Sequence, residues 1–153
     1  YLSISYDEQD RAKYLFYSGG WYKFEYRQNL TLYTDGNSHT TEYYLNDDGT
    51  VWKKLEFSKG TGLVTSFEYN SDKLVTKATY PKGNSLCYAY DQKGNLLELR
   101  RKPKEQGAGA DLVTTFTYEP RFNFIKTSTD SKGNITTYYY DYEDWMDWDM
   151  GGA

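Results

Sequence analysis

The 153-residue chain has one cysteine, one histidine and three prolines, and this scarcity excludes several kinds of site. A single thiol, Cys87, cannot form an internal disulfide, so cysteine usage does not indicate a redox compartment. Cys87 and His39 together are too few for a zinc site of the Cys/His type. No apolar run approaches the roughly 18 residues of a membrane-spanning helix. No basic segment followed by an apolar one opens the chain, so no signal peptide is predicted.

Positive charge is in deficit. The chain carries 18 Lys and Arg against 22 Asp and Glu, for a formal net charge of -4. This balance disfavours nucleic acid and anionic membrane surfaces as partners. The one basic run, residues 100–104, is followed by Gly107, Ala108 and Gly109, and it predicts a solvated insertion loop.

Recognisable catalytic motifs are missing as well. The sequence contains no G-x-S-x-G, no S-x-x-K and no glycine-rich phosphate loop before a helix. His39 falls at the edge of a predicted hairpin turn, and Cys87 falls within a predicted strand, without a base beside it. We therefore predict no catalytic residue, no cofactor and no metal site, and the chain is not expected to be an enzyme.

Aromatic residues are what the chain has in excess. Its 18 Tyr, 7 Phe and 4 Trp make up 19% of the sequence, which is typical of an ordered chain. Tyr and Thr favour strands, the 13 Gly suit turns, and no long stretch shows helical periodicity. The composition therefore predicts an all-β protein.

A repeat runs along the chain, marked by a Tyr that ends an alternating strand and is often followed by Asp, Asn or Glu. These anchor tyrosines are Tyr6, Tyr26, Tyr44, Tyr69, Tyr90, Tyr118 and Tyr140. Gly-Asn and Asp-Gly pairs between them permit the positive φ of hairpin turns; they are Asp35-Gly36-Asn37, Asp48-Gly49, Gly83-Asn84, Gly94-Asn95 and Gly133-Asn134. Six units of two strands predict about twelve antiparallel strands in one wide, curved or twisted sheet of hairpins. The anchors are expected to pack as a cross-strand aromatic row.

The units have the pattern of a known family. The segments "YDQKGNLLEL" (90–99) and "TDSKGNITTYYYD" (129–141) match a Tyr-Asp-x-x-Gly-Asn turn followed by a Thr-x-x-Tyr-x-Tyr-Asp strand, and "TYPKGNSLCYAYD" (79–91) matches well. The chain resembles the YD-repeat, or Rhs-repeat, proteins. The resemblance is clearest over 63–141 and weaker over 1–62, where Asp10 stands at the usual glycine position.

The resemblance implies a structural role. Repeats of this family form a β-sheet strip that spirals into a hollow shell, in polymorphic toxins, insecticidal toxin complexes and teneurins. The chain is then expected to be a non-enzymatic segment of a large secreted or surface-displayed protein that encloses or presents a toxin or effector domain. Its expected partners are neighbouring repeats or a C-terminal effector domain of the same protein, and open sheet edges also predict self-association. No Asp-Pro pair is present, so the self-cleaving segment of toxin-linked shells is not implied.

Domain organisation follows from the repeat. Residues 1–141 are predicted to form about six units, and residues 142–153 an acidic, Trp-rich tail or linker. Oxygen ligands in the tail leave calcium binding as an alternative to a solvated linker; they come from Asp141, Glu143, Asp144, Asp147 and Asp149. The chain begins with Tyr1 rather than Met, which indicates a segment of a longer protein.

A carbohydrate- or cell-surface-binding module is the alternative function. Trp21 and Trp52 both follow glycine-containing turns, and flat aromatic faces on sheets suit sugar rings. Alternation places Trp52 on the face of Lys54 and Glu56, away from Leu55, which predicts an exposed ring. A Trp packed between repeats is the competing interpretation. The sequons at Asn29 and Asn134 are relevant only in a glycosylating secretory pathway.

Overall fold

The computed structural model describes residues 1–58, 60–104 and 109–142. These residues form strands, turns and connecting segments, and no helix occurs among them. The strands are β1 (Leu2–Tyr6), β2 (Ala12–Tyr17), β3 (Gly20–Arg27), β4 (Leu30–Asp35), β5 (Thr40–Leu45), β6 (Val51–Ser58), β7 (Thr61–Tyr69), β8 (Val75–Thr79), β9 (Ser85–Tyr90), β10 (Leu96–Lys102), β11 (Leu112–Tyr118), β12 (Ile125–Thr129) and β13 (Ile135–Thr137).

The strands follow one another in chain order in a single 13-stranded antiparallel sheet whose edges are β1 and β13. The prediction of an all-β, antiparallel sheet of hairpins is confirmed. The predicted count of about twelve strands was one short, because the units were counted from Tyr6 onward. The residues before that anchor form a strand of their own, β1, which pairs with β2 from Leu2↔Tyr17 onward.

The chain divides into two compact units, Tyr1–Ser85 and Leu86–Ala153. In the first unit, the pairing register fixes which side chains share a face, because successive residues of a strand point to opposite sides. We call one side the tyrosine face; it carries Leu15, Tyr22, Phe24, Tyr33, Asp35, Thr41, Glu56, Leu63 and Thr65. The other side carries Tyr14, Trp21, Lys23, Leu32, Glu42, Leu55 and Val64.

Neither unit encloses a hydrophobic core of the usual kind. Among the described residues, Ala78 is the one buried hydrophobic residue, and no large side chain is fully buried. Phe57 is 50% exposed and Val64 43% exposed, although both lie on inner strands. A sheet normally buries one face against a second layer. The strands are therefore held together by backbone hydrogen bonds, by cross-strand side-chain pairs and by their turns.

Candidate functional site

Seven of the turns share one backbone geometry. The first residue donates its N–H to the carbonyl four residues later, and its own carbonyl accepts from the N–H three residues later, over 2.8–3.2 Å. The first residues of these turns are Asp7, Asp35, Asn46, Asn70, Tyr80, Asp91 and Asp130. This turn forms seven of the twelve connections between consecutive strands in the described part of the chain.

Side chains cap five of these turns. The Oδ1 atom of the first residue accepts the backbone N–H groups two and four residues later, at 2.8–3.1 Å. The capping residues are Asp7, Asp35, Asn70, Asp91 and Asp130. Asp and Asn favour this arrangement because a short side-chain oxygen reaches N–H groups that the turn leaves without a strand partner. Three of the caps, Asp7, Asn70 and Asp91, directly follow an anchor tyrosine, so the Asp or Asn at these positions is a turn cap.

The fourth residue of each turn adopts a left-handed conformation. Four of these residues are glycines, with φ of 84° at Gly49 and 85° at Gly83, Gly94 and Gly133. Asp10, Ser38 and Lys73 hold the same position with φ of 56°, 65° and 62°. The predicted turns are all present, but in the turn at 35–39 Ser38 takes the left-handed position instead of Gly36.

The turn after Tyr118 is one residue longer. The Glu119 N–H donates to the Phe124 carbonyl, and Asn123 takes the left-handed position with φ of 64°. The longer Glu119 side chain spans this loop by accepting three backbone N–H groups at 2.7–2.9 Å. Burial raises the pKa of Glu119, but these N–H groups outweigh it and leave the pKa below its usual value. Glutamate at this position is explained by the size of its loop.

We expect folding stability to fall in acid because of the aspartate caps. Hydrogen bonds lower the pKa of these aspartates below the ordinary 3.8. The Asn95 side chain donates such a bond to Asp91, and the Asn134 side chain donates one to Asp130. A lowered folded-state pKa adds stability that is present above the unfolded value and lost as pH falls through the folded value. Urea midpoints are therefore expected to be constant above about pH 5 and to fall below about pH 4.

The test of this pH dependence uses Asp91→Asn. Asn70 caps an equivalent turn with the same two N–H bonds, so asparagine is expected to keep the turn and to remove the titration. The variant should lose less stability than the wild type between pH 7 and pH 3. The reciprocal variant, Asn70→Asp, should lose more. Equal acid sensitivity in all three proteins would show that the caps do not control it.

Four anchor tyrosines make one further bond, which we call the tyrosine staple. Each hydroxyl donates to the backbone carbonyl of the first residue of the neighbouring strand, at 2.7–2.9 Å. The pairs are Tyr26 with Ala12, Tyr69 with Val51, Tyr118 with Leu96, and Tyr140 with Ile125. Burial raises the pKa of Tyr69 and Tyr118. Each staple ties a residue at or near the end of one strand to the first residue of the strand beside it.

Two further anchors, Tyr6 and Tyr44, differ from these four. Tyr6 is 58% exposed, and its hydroxyl makes no hydrogen bond within the described part of the chain. Tyr44 lies one residue before the anchor position, because Leu45 directly precedes the turn residue Asn46 and pairs with Val51 across a bulge. The Tyr44 hydroxyl donates to Glu42 instead. The sequence pattern places Tyr44 among the anchors because Tyr44 lies near the expected spacing. Spacing alone does not show that Tyr44 is one residue away from the true anchor position.

Trp52 lies at the same bulge. Its side chain is 42% exposed, as the sequence predicted, but its ring contacts Tyr44 at a centroid distance of 5.9 Å, and the Lys53 ammonium lies 5.1 Å from it. The predicted alternation with Lys54 and Glu56 is therefore broken at this residue, since the bulge sets two residues of β6 against one of β5. Trp21 is half-buried on β3, opposite Phe16. The two tryptophans do not share a site.

Two adjoining clefts lie on the first compact unit. One has a volume of about 560 Å³ and is lined by Tyr33, Asp35, His39, Thr41, Glu56 and Leu63. The second measures about 330 Å³ and is lined by Tyr17, Trp21, Tyr22, Tyr33 and Asp35 together with turn glycines. We call the two together the aromatic groove, since Tyr33 and Asp35 line both. No motif in the sequence indicated it, because its residues come from six strands.

Stacked tyrosines form the wall of the groove. The ring centroids of Tyr17 and Tyr22 are 5.2 Å apart, and those of Tyr22 and Tyr33 are 5.0 Å apart. Burial raises the pKa of Tyr33 to about 12, together with its hydrogen bond to Tyr22 and the nearby Tyr22 and Asp35 groups. The Tyr33 hydroxyl is therefore neutral at physiological pH. A Cβ at Gly19 would lie 2.6 Å from the Tyr17 ring, so glycine there leaves room for the stack.

The remaining predicted positions carry little chemistry. His39 donates or accepts one bond with Asp35 at 3.3 Å, and its ring is 71% exposed. Arg100, in the basic run, pairs with Glu98 and Asp111. In the described ranges, no three His, Cys, Asp or Glu side chains gather into a potential metal site. Tyr142 packs on Phe122 and Tyr140, whereas residues 143–153 of the predicted tail lie outside the described residues.

No protein-family model matches the sequence, and no curated protein matches it. The turns, the staples, the uncovered faces and the groove are the features that bear on function.

Proposed function

We propose that the chain is a non-enzymatic structural segment of a larger YD-repeat protein, secreted or displayed at the cell surface, whose β-shell encloses or presents an effector domain. The observation that supports this most directly is the recurrence of the same capped turn and tyrosine staple from unit to unit. A repeat of this kind is added by extending a sheet, and each unit stabilises the next through its shared edge.

The uncovered surfaces support the same proposal. Large apolar side chains are exposed on inner strands, and a sheet with so little burial needs neighbouring structure to cover it. The edge strands are also apolar: Leu2 is 66% exposed on β1, and Ile135 is 66% exposed on β13. Unprotected edges of this kind are suited to pairing with further strands. In a longer protein those strands would be additional units of the repeat.

The parent gene gives the direct test. We expect the codons on both sides of this segment to encode further units, with Asp or Asn after each anchor tyrosine, followed by a non-repeating C-terminal domain. A signal peptide directly upstream together with a stop codon after Ala153 would make encapsulation impossible. A hydrolase or transferase activity of the purified chain that a point mutation abolishes would overturn the non-enzymatic role.

We expect the isolated chain to self-associate through its edge strands. Sedimentation should show an average mass that rises above 17.9 kDa with concentration. Ile4→Lys on β1 and Ile135→Lys on β13 should reduce this association, because a charged edge opposes strand pairing. Val64→Lys is the matched control, since Val64 is 43% exposed but lies on the inner strand β7. An equal reduction by Val64→Lys would assign the association to the sheet faces instead.

A carbohydrate- or surface-binding module is the second candidate. The exposed ring of Trp52 and the aromatic groove are the observations that favour it. Trp52→Ala distinguishes the two locations, because Trp52 does not line the groove. Glycan binding lost in this variant would place the site at the β5–β6 bulge. Glycan binding that the Trp52→Ala variant retains would place the site in the groove.

A further inference from the structure

We propose that the aromatic groove binds an oligosaccharide whose sugars are neutral or carry amino groups, and that it rejects acidic sugars. The inference rests on the carbohydrate-binding candidate and is independent of the structural role. It makes Tyr33, Asp35 and Glu56 the central ligand contacts, none of which was indicated by the sequence.

The form of the groove fits an extended ligand. Its lining runs from Tyr17 on β2 to Leu63 on β7, so it crosses six neighbouring strands. Strands spaced by about 4.8 Å give it a length of roughly 24 Å, which suits a chain of sugars better than a single ring. The two volumes, about 560 and 330 Å³, lie within the usual range for ligand clefts.

The wall and floor of the groove combine apolar rings with oxygen acceptors. Tyr17, Tyr22 and Tyr33 supply a stacked aromatic surface, and Leu63 on the same face of the sheet lies at the other end. A carboxylate beside such rings can accept hydrogen bonds from a polyhydroxyl ligand, and a hydroxyl can accept or donate them. The apolar side of the ligand then covers the rings. Tyr33 and Thr41 are paired across β4 and β5, and Thr41 pairs in turn with Glu56 on β6. These residues form one continuous cross-strand row.

The charge of the groove selects among sugars. Its lining contains two carboxylates, Asp35 and Glu56, and His39 as its basic side chain. Hydrogen bonds from backbone N–H groups lower the pKa of Asp35, and the largest effect comes from the His39 N–H. The Asp35 carboxylate is ionised at neutral pH. The Lys54 ammonium lies 2.9 Å from Glu56 and compensates one of the two charges. An acidic sugar would meet net repulsion there, whereas an amino group would be attracted.

Calorimetric titration of the full chain with three hexasaccharides tests the proposal. The probes are the hexamers of glucosamine, N-acetylglucosamine and galacturonate, which differ in charge but share a similar length. We expect the glucosamine hexamer to bind most tightly, the N-acetylglucosamine hexamer to bind more weakly, and the galacturonate hexamer not to bind. No binding of any hexamer, or equal binding of the galacturonate hexamer, would overturn the proposal. Binding of a lysine-containing extended peptide with no binding of hexamers would also overturn it, in favour of a peptide groove.

Charge-removing variants locate the binding. Asp35→Asn is expected to keep its turn, as Asn70 does at an equivalent turn, and Glu56→Gln keeps the shape of its side chain. Each should weaken the glucosamine hexamer about fivefold, the effect of one unscreened charge pair in water at about 4 Å. Asp130→Asn is the control for the first, since Asp130 caps a turn but does not line the groove. Glu68→Gln is the control for the second, since Glu68 pairs with Lys77 as Glu56 pairs with Lys54.

The controls also separate groove binding from general charge attraction. Equal weakening by Asp130→Asn or Glu68→Gln would show that the hexamer responds to net charge alone, and the groove would then carry no site. The urea midpoints of Asp35→Asn and Glu56→Gln should equal that of the wild type. The weaker binding then reflects a lost contact with the hexamer and not a less stable fold. Failure of this proposal leaves the gene test and the edge-association test unaffected, so the structural role is judged separately.

Discussion

A variant with phenylalanine at all four staple positions, 26, 69, 118 and 140, is expected to unfold at a much lower urea concentration than the wild type. Each substitution keeps the ring and removes a hydroxyl that donates to a backbone carbonyl at 2.7–2.9 Å. One such bond contributes about 0.5–1.5 kcal/mol to the free energy of unfolding. Four together would remove about 2–6 kcal/mol, a large part of the roughly 5–15 kcal/mol typical of folded proteins.

The staple variant can be resolved by unit. Tyr26 and Tyr69 lie in the unit Tyr1–Ser85, and Tyr118 and Tyr140 lie in the unit Leu86–Ala153. Double variants in each unit should therefore affect the transition of that unit, followed by hydrogen exchange of its strands. Tyr6→Phe is the matched control, because Tyr6 holds an anchor position while its hydroxyl has no partner in the described residues. A loss of stability from Tyr6→Phe as large as from Tyr69→Phe would refute the staple.

The staples show what a local sequence pattern can and cannot reveal. The anchor tyrosines are visible because each one lies at or near the end of an alternating strand, just before a turn. Their bonds are not visible, since the acceptor lies 14, 18, 22 and 15 residues earlier in the chain in the four cases. The separation varies because it depends on the length of the intervening strands and turn. A fixed spacing never appears in the sequence, although the geometry is constant.

Bulges set a second limit on prediction. At Trp52 the simple alternation of faces is wrong, because an extra residue in β6 shifts the pattern between Tyr44 and Leu45. Similar shifts in pairing register occur directly before Tyr6, Tyr69 and Tyr118, so the bulge is itself part of the repeat. Strands without a bulge, such as the paired stretch of β3 and β4, follow the alternation throughout. The aromatic groove was missed for a related reason: its residues become neighbours only through the pairing of six strands.

Glycine at the left-handed turn position is expected to contribute strongly to stability. Gly49→Ala and Gly133→Ala should each destabilise the protein by about 1–2 kcal/mol, the cost of placing a Cβ in a left-handed conformation. Their φ values are 84° and 85°, and a Cβ at either position would meet no atom within 4 Å. The effect is therefore conformational and not steric. Urea denaturation of the two single variants and of the double variant measures it, and the double variant should lose about 2–4 kcal/mol.

The opposite substitutions should stabilise the protein. Asp10 and Ser38 hold the left-handed position with φ of 56° and 65°, so Asp10→Gly and Ser38→Gly remove strain. The gain should be at most about 1 kcal/mol, because glycine also adds entropy to the unfolded chain. Gly36→Ala is the control: Gly36 lies in a turn without a left-handed φ, and a Cβ there would be 3.6 Å from the Trp21 backbone, an ordinary contact. Since Asp10 stands where the repeat usually has glycine, stabilisation by Asp10→Gly would show that this unit uses the same turn as the clearer units. Destabilisation by Asp10→Gly would mean that the Asp10 side chain itself contributes to the stability of the protein.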